Sequence, residues 1–183
     1  NPEIIIKSLE NYRNRQEAKI KEELKYFIND YYEKKMYETL PYTGNTSGSL
    51  VVTEFIDYNC SYCKKTLLVI NKLLKRNNNI KLVFIDFPIL SETSYIASKG
   101  ALAAFEQDAY FQFHTELLTG NRDFSETYIL ELAKKLKLDV NKFKEDMKSS
   151  LISKKLEKNI KFARDLNIRG TPSFIINKKV YPG

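Results

Sequence analysis

The chain's only two cysteines stand three residues apart, as Cys60-Ser-Tyr-Cys63, where a strand pattern gives way to a helix pattern. Leu50-Val-Val-Thr-Glu-Phe-Ile-Asp57 is rich in β-branched and aromatic residues and reads as a core strand. After the cysteines, Cys63, Leu67, Ile70 and Leu74 fall at i, i+4, i+7 and i+11, one apolar stripe of a helix running to about Arg76. Ile80-Lys-Leu-Val-Phe-Ile-Asp-Phe87 is a second strand, stopped by Pro88. A strand, helix and strand in this order form a right-handed crossover, so the two strands are expected to be parallel neighbours.

The spacing also limits the chemistry. Two thiols cannot close a four-cysteine zinc site, and the single histidine, His114, rules out a site of two cysteines and two histidines within one chain. A bridge across three residues closes too small a loop to brace a fold by chain entropy. Redox exchange remains, or a clip for a soft ion such as Cu(I).

With 183 residues, 43% hydrophobic and 29% charged, the chain suits one domain of ordinary size plus some extra, and collagen-like, low-complexity and disordered classes are excluded. No apolar run approaches the roughly 18 residues of a membrane span. The chain starts at Asn1 and lacks a signal-peptide pattern, which reads as a mature or trimmed product. The net charge of +7 comes mostly from lysines scattered along helical segments. That scatter reads first as a solvated face and only second as a nucleic-acid surface, so no nucleic-acid partner is expected, with a basic face that attracts anionic membrane or acidic partners as the alternative.

The remaining elements frame the strand–helix–strand unit. Residues 1–43 form a helical arm with a turn. Asn1 is its N-cap, Pro2 its first helical residue, and Ile20, Leu24, Phe27 and Tyr31 an apolar stripe. The stretch from Asn11 to Glu17 is polar all round, so the arm either projects to pair with another chain or packs on its own domain. Pro41 to Ser49 reads as a linker or turn. Residues 44–91 carry the first half of the sheet-forming part, and 92–150 show only helical periodicity. Residues 151–183 hold a helix ending near Gly170, then two short strands around Asn177-Lys178-Lys179. The chain stops at Gly183, where one more helix is expected to cover the sheet.

A cysteine at a helix start meets unpaired backbone N–H groups and the positive end of the dipole, both of which favour thiolate. Cys60 lies there, with Lys64 and Lys65 adding positive charge, at an expected exposed mouth. Cys63 belongs to the inward stripe. An accessible sulfur that reacts and a shielded one that resolves suit dithiol exchange. Glu54, six residues before Cys60, shares a strand face with Val52 and Ile56. It is either a buried carboxyl able to relay the Cys63 proton or a strand-edge residue in solvent. Thr171-Pro172 precedes a strand, and its peptide bond can be cis, turning backbone polar groups towards a substrate. Tyr62 and Tyr58 could form an apolar rim for unfolded clients or simply pack, and His114 reads as a satisfied helix residue.

Val52-Thr-Glu-Phe-Ile-Asp-Tyr-Asn-Cys-Ser-Tyr-Cys63, followed far downstream by Gly170-Thr-Pro-Ser-Phe174, resembles the DsbA-type thiol–disulfide oxidoreductases of the bacterial cell envelope. The resemblance covers about residues 44 to 183. It implies an α/β, thioredoxin-like fold with a helical insertion, behind an N-terminal helical arm. The arm, Asn1-Pro-Glu-Ile through Arg15-Gln16-Glu17, resembles the ScsC-like branch, some of whose members trimerise and isomerise disulfides. By position, the resemblance implies Cys60 as nucleophile, Cys63 as resolving thiol and Glu54 as the buried acid. Thr171 and Pro172 then form a cis-proline loop facing the disulfide, and Ser61 and Tyr62 take part in substrate binding. Ser61-Tyr62 stands where the best-known oxidases have Pro-His, which leaves oxidising strength open. The same resemblance implies exported cysteine-containing substrates in the periplasm, a DsbB- or DsbD-like membrane redox partner, a homo-oligomer such as a trimer, and no prosthetic group. A copper-binding chaperone using the same two sulfurs is the alternative.

Overall fold

The computed structural model describes residues 2–120 and 124–183. A long helix α1 (Pro2–Glu33) leads through a short 3-10 turn at Met36–Thr39 into strand β1 (Tyr42–Gly44). Strand β2 (Leu50–Ile56), helix α2 (Ser61–Arg76) and strand β3 (Ile80–Asp86) follow. Four helices come next: α3 (Glu92–Phe105), α4 (Tyr110–Thr119), α5 (Glu126–Lys135) and α6 (Val140–Lys148). Helix α7 (Ser150–Asp165) returns the chain to strands β4 (Ser173–Ile176) and β5 (Lys179–Pro182).

The sheet order is β1-β3-β2-β4-β5, with β2 and β3 parallel and every other pair antiparallel. This is a thioredoxin-like sheet with helices on both faces. Strands buried on both faces need apolar residues on both, and all seven residues of β3 are buried. Val52, Ile56, Leu82 and Phe84 pack beneath α2 and the inserted helices, meeting Leu67, Ile70, Phe113 and Leu117. Phe55, Ile85 and Ile175 face the other way, towards Ile28 and Tyr31 of α1 and Ala163 of α7.

The arm both docks and stands free. Pro2 to Glu23 are exposed, with Ile4, Ile5, Ile6, Leu9 and Tyr12 each more than half exposed. Ile20 is 43% exposed and so lies outside the buried stripe, which is carried by Ile28 and Tyr31 with Leu24 and Phe27 at its margin. Tyr31 stacks on Phe162 with ring centroids 5.1 Å apart, and its hydroxyl pairs with the Thr53 hydroxyl at 2.8 Å. The Asn1 N-cap lies outside the described residues.

Three expectations are revised. Pro41 to Ser49 is more than a linker, because Tyr42–Gly44 pairs with Lys81 to Val83 as an edge strand. Gly44 sits at φ +86°, where an added Cβ would lie 2.6 Å from the Ile80 carbonyl oxygen, so the close approach requires glycine. Helix α7 stops at Asp165, short of Gly170, as Asn167 adopts the left-handed conformation (φ 54°) and Leu166 and Ile168 turn into the core. The last hairpin turns on Asn177 and Lys178, both at positive φ, and Lys179 already belongs to β5. Next to this hairpin, Leu50, Val52, Phe174 and Ile176 of the sheet and Val69 and Leu73 of α2 line an open apolar groove of about 310 Å³.

Candidate active site

The loop Asp57-Tyr58-Asn59 leaves the sheet at the end of β2 and delivers Cys60 to the first turn of α2. Cys60 is the N-cap, in extended geometry (φ −76°, ψ 116°), and its sulfur accepts the Cys63 backbone N–H at 3.4 Å. An N-cap sulfur faces the unpaired N–H groups and the positive dipole end of a 16-residue helix, a setting that stabilises negative charge. Both cysteines are free thiols.

Asp57 fastens the loop. Its Oδ1 accepts the Asn59 N–H at 2.8 Å, and its Oδ2 accepts the N–H groups of Ile89 and Leu90 at 2.8 and 2.9 Å. Its carbonyl accepts the Cys60 N–H at 3.0 Å. Sequence reading passed over Asp57 because it looked like the end of a strand. The later run Phe87-Pro-Ile-Leu-Ser91, a loop beside a loop, held the partners.

From far along the chain, the turn before β4 closes over the pair. The Thr171-Pro172 bond is cis, and the Cys60 thiol donates to the Thr171 carbonyl at 3.1 Å. This contact revises the expected exposed mouth: Cys60 is only 6% exposed, because the Thr171 turn lies against it. The expected order persists, since Cys63 is buried to 1% on the stripe with Leu67 and Ile70. Burial pushes the Cys63 thiol upward, the neighbouring Cys60 and Glu54 add to this, and a hydrogen bond to the Asp57 backbone opposes it.

Glu54 is the buried carboxyl and not the strand-edge residue. It is 2% exposed, between Phe84 of β3 and Phe174 of β4 in register. Burial first, and then Cys60, push its pKa up to about 8. Such a group can hold or release a proton near neutral pH. Ser61 and Tyr62 both lie exposed on the first turn of α2, and Lys65 places its Nζ 5.2 Å over the Tyr62 ring.

Tyr58 does not join Tyr62 in a rim. It is buried, with its hydroxyl 3.3 Å from His114 Nδ1 and 3.4 Å from the Tyr110 hydroxyl. His114 is the satisfied helix residue expected, held neutral by burial that lowers its pKa to about 3. Tyr110 donates to Asp86 Oδ2 at 3.0 Å, and burial pushes Asp86 up to about 7. Asp86 escaped sequence reading because one acid at the end of an apolar run resembles a strand cap. Among the described residues, no group of three or more His, Cys, Asp or Glu is placed to hold a metal ion.

Comparison with known proteins agrees with this geometry. The sequence profile of the thioredoxin family matches residues 36–183. A structure of the thiol-disulfide exchange protein alpha-DsbA2 from Wolbachia pipientis is 32% identical, with a TM-score of 0.79 over 91% of this chain and 90% of that one. A Proteus mirabilis ScsC linker-deletion mutant, 24% identical, shares the fold at a TM-score of 0.80 over 98% of this chain and 84% of its own. The probable disulfide bond formation protein D of Bacillus anthracis is 28% identical over 154 residues, 77% of this chain and 71% of the relative. A stretch of the Na(+)/H(+) antiporter NhaA 3 of Salinispora tropica is 25% identical, but the chain spans only 22% of that protein.

A capped dithiol facing a cis-proline turn on this sheet defines a redox protein of the thioredoxin class. The chain belongs to the thioredoxin family, and within it to the DsbA-type thiol–disulfide oxidoreductases.

Proposed function

We propose that this protein exchanges disulfides with exported, cysteine-containing polypeptides in the bacterial envelope, with Cys60 as nucleophile and Cys63 as resolving thiol. The observation that carries the reading is the unequal placement of two adjacent sulfurs: Cys60 caps a helix under the Thr171 turn, and Cys63 is sealed behind it. In the oxidising direction a client thiolate attacks the Cys60 sulfur of the Cys60–Cys63 disulfide. The client–Cys60 bond forms, the Cys60–Cys63 bond breaks, and Cys63 leaves as a thiolate that takes the proton of Glu54. A second client thiolate then attacks the client sulfur of the mixed disulfide, closing the client disulfide and releasing Cys60 as thiolate. In the reverse sequence Cys60 attacks a client disulfide, and resolution by Cys63 reduces the client and leaves the Cys60–Cys63 disulfide. Isomerisation takes the other exit, in which a different client thiolate attacks the client sulfur of the mixed disulfide and Cys60 leaves as thiolate. Ser61, Tyr62, Thr171 and Pro172 border the reacting sulfur and take the client chain.

A membrane redox partner of the DsbB or DsbD kind would reset the pair, and a periplasmic setting follows from the same reading. No described helix is long and apolar enough to cross a membrane. Residues 1–43 act as an arm in this account, and 92–150 as a helical insertion between two sheet-forming halves, 44–91 and 151–183. The exposed Ile5, Leu9 and Tyr12 of α1, spaced i, i+4 and i+7, are what a second copy would cover in a homo-oligomer, with a trimer among the possible assemblies.

Insulin reduction by dithiothreitol and refolding of scrambled ribonuclease, each with stoichiometric protein, test the function. Acceleration of either is the expected result. Tight stoichiometric Cu(I) binding with neither activity would overturn it in favour of a copper chaperone.

A further inference from the structure

The sheet face turned away from α2 carries a cavity between the arm and the body, and disulfide exchange makes no use of it. It measures about 350 Å³, near the lower end of the roughly 300–1,000 Å³ of small-molecule sites. Its walls are mainly apolar: Leu40 comes from the turn after α1, Ile85 from β3, Leu102 and Phe105 from α3, and Phe162 from α7. The polar groups in the wall divide into two sets. The Tyr31 hydroxyl is taken by Thr53, the Thr39 hydroxyl by the Met36 carbonyl, and the Lys155 ammonium by Glu106. Two successive residues of α7 are left. Asn159 is only 7% exposed, and its side-chain amide has no hydrogen-bond partner among the described residues. Exposed Lys158 pairs with no carboxylate among them. A buried amide without a partner is costly, so a donor and an acceptor held against a cavity favour an occupant that engages them.

We infer that this cavity is a binding site for a small amphipathic anion, a medium-chain aliphatic carboxylate. The chain occupies the space among Ile85, Leu102 and Phe162, and the carboxylate accepts from the Asn159 amide on the inner side and the Lys158 ammonium at the rim. Three features select this class. The apolar walls favour a hydrocarbon body. The one uncommitted cation calls for a negative end, which a charge-assisted hydrogen bond holds more strongly than a neutral one. The volume gives room for about a dozen non-hydrogen atoms at the roughly 30 Å³ that a water takes in the liquid, too little for a two-chain lipid. The site is independent of the thiol-exchange reading, since none of its residues borders the sulfurs.

The test titrates the isotope-labelled full chain with decanoate and, separately, with decan-1-ol, following chemical shifts by NMR. Decanoate should saturably shift the Asn159 side-chain amide and the methyl groups of Ile85 and Leu102. Decan-1-ol, with the same chain and no charge, should bind about tenfold more weakly. Lys158→Gln alters an exposed side chain and leaves the apolar walls intact. It should weaken decanoate about tenfold and leave the affinity for decan-1-ol unchanged. Absence of saturable shifts at these three residues overturns the site. Equal affinity of wild type for the two probes, or an unchanged decanoate affinity in Lys158→Gln, overturns the assignment of an anionic ligand.

Discussion

Replacing Cys60 by serine is expected to abolish turnover, lowering insulin reduction by roughly a thousandfold or more, because an alcohol cannot form the mixed disulfide. Cys63→Ser should behave differently. Its Cys60 still attacks a client disulfide, but nothing behind it resolves the product, so the protein accumulates covalently bound to client. The asymmetry has a structural origin: Cys60 is the N-cap whose sulfur faces the helix N–H groups, whereas Cys63 sits inside the α2 stripe. Gel electrophoresis without reductant separates the two variants. Equal adduct formation by both would show that either sulfur can initiate exchange, against the assigned roles.

Glu54→Gln is expected to change both stability and resolution. In the unfolded chain the Glu54 carboxyl has its ordinary value of 4.5, and in the folded protein burial raises it to about 8. Between these values the folded state keeps a proton that the unfolded chain has released. The stabilisation from the neutral carboxyl is therefore complete below pH 4.5 and is lost as pH rises through about 8. The gap corresponds to an upper bound of roughly 5 kcal/mol. Urea unfolding of the reduced proteins should give a wild-type stability that falls by several kcal/mol between pH 5 and 8.5 relative to the glutamine variant. Parallel pH dependences would remove Glu54 from the proton account. Loss of the proton donor and acceptor beside Cys63 should also slow release of client by about a hundredfold.

The sequence was most informative where local signals and burial agree. Leu50 to Ile56, Ser61 to Arg76 and Ile80 to Asp86 were legible because a long apolar stripe and two β-branched runs each specify one element. The burial of Cys63 followed from the same stripe. Strand β1 was not legible, since three residues carry no periodicity and its ladder partner is the edge of β3. The reduced exposure of Cys60 was hidden for another reason: the covering group is Thr171, 111 residues away, and no local pattern announces a contact of that range. Asp57 and Asp86 show how polar residues inside the core escape such reading. Asp57 is held from outside its own loop by the N–H groups of Ile89 and Leu90, and Asp86 by the Tyr110 hydroxyl. Their partners come from a loop and from the insertion, brought there by tertiary packing.

Brief alkylation of the fully reduced protein with iodoacetamide, followed by peptide mass mapping, addresses the division of labour between the sulfurs most directly. The account predicts that Cys60 is carbamidomethylated first and that Cys63 stays unmodified until the protein is unfolded. Modification of Cys63 ahead of Cys60, or of both at equal rates in the native protein, would contradict it.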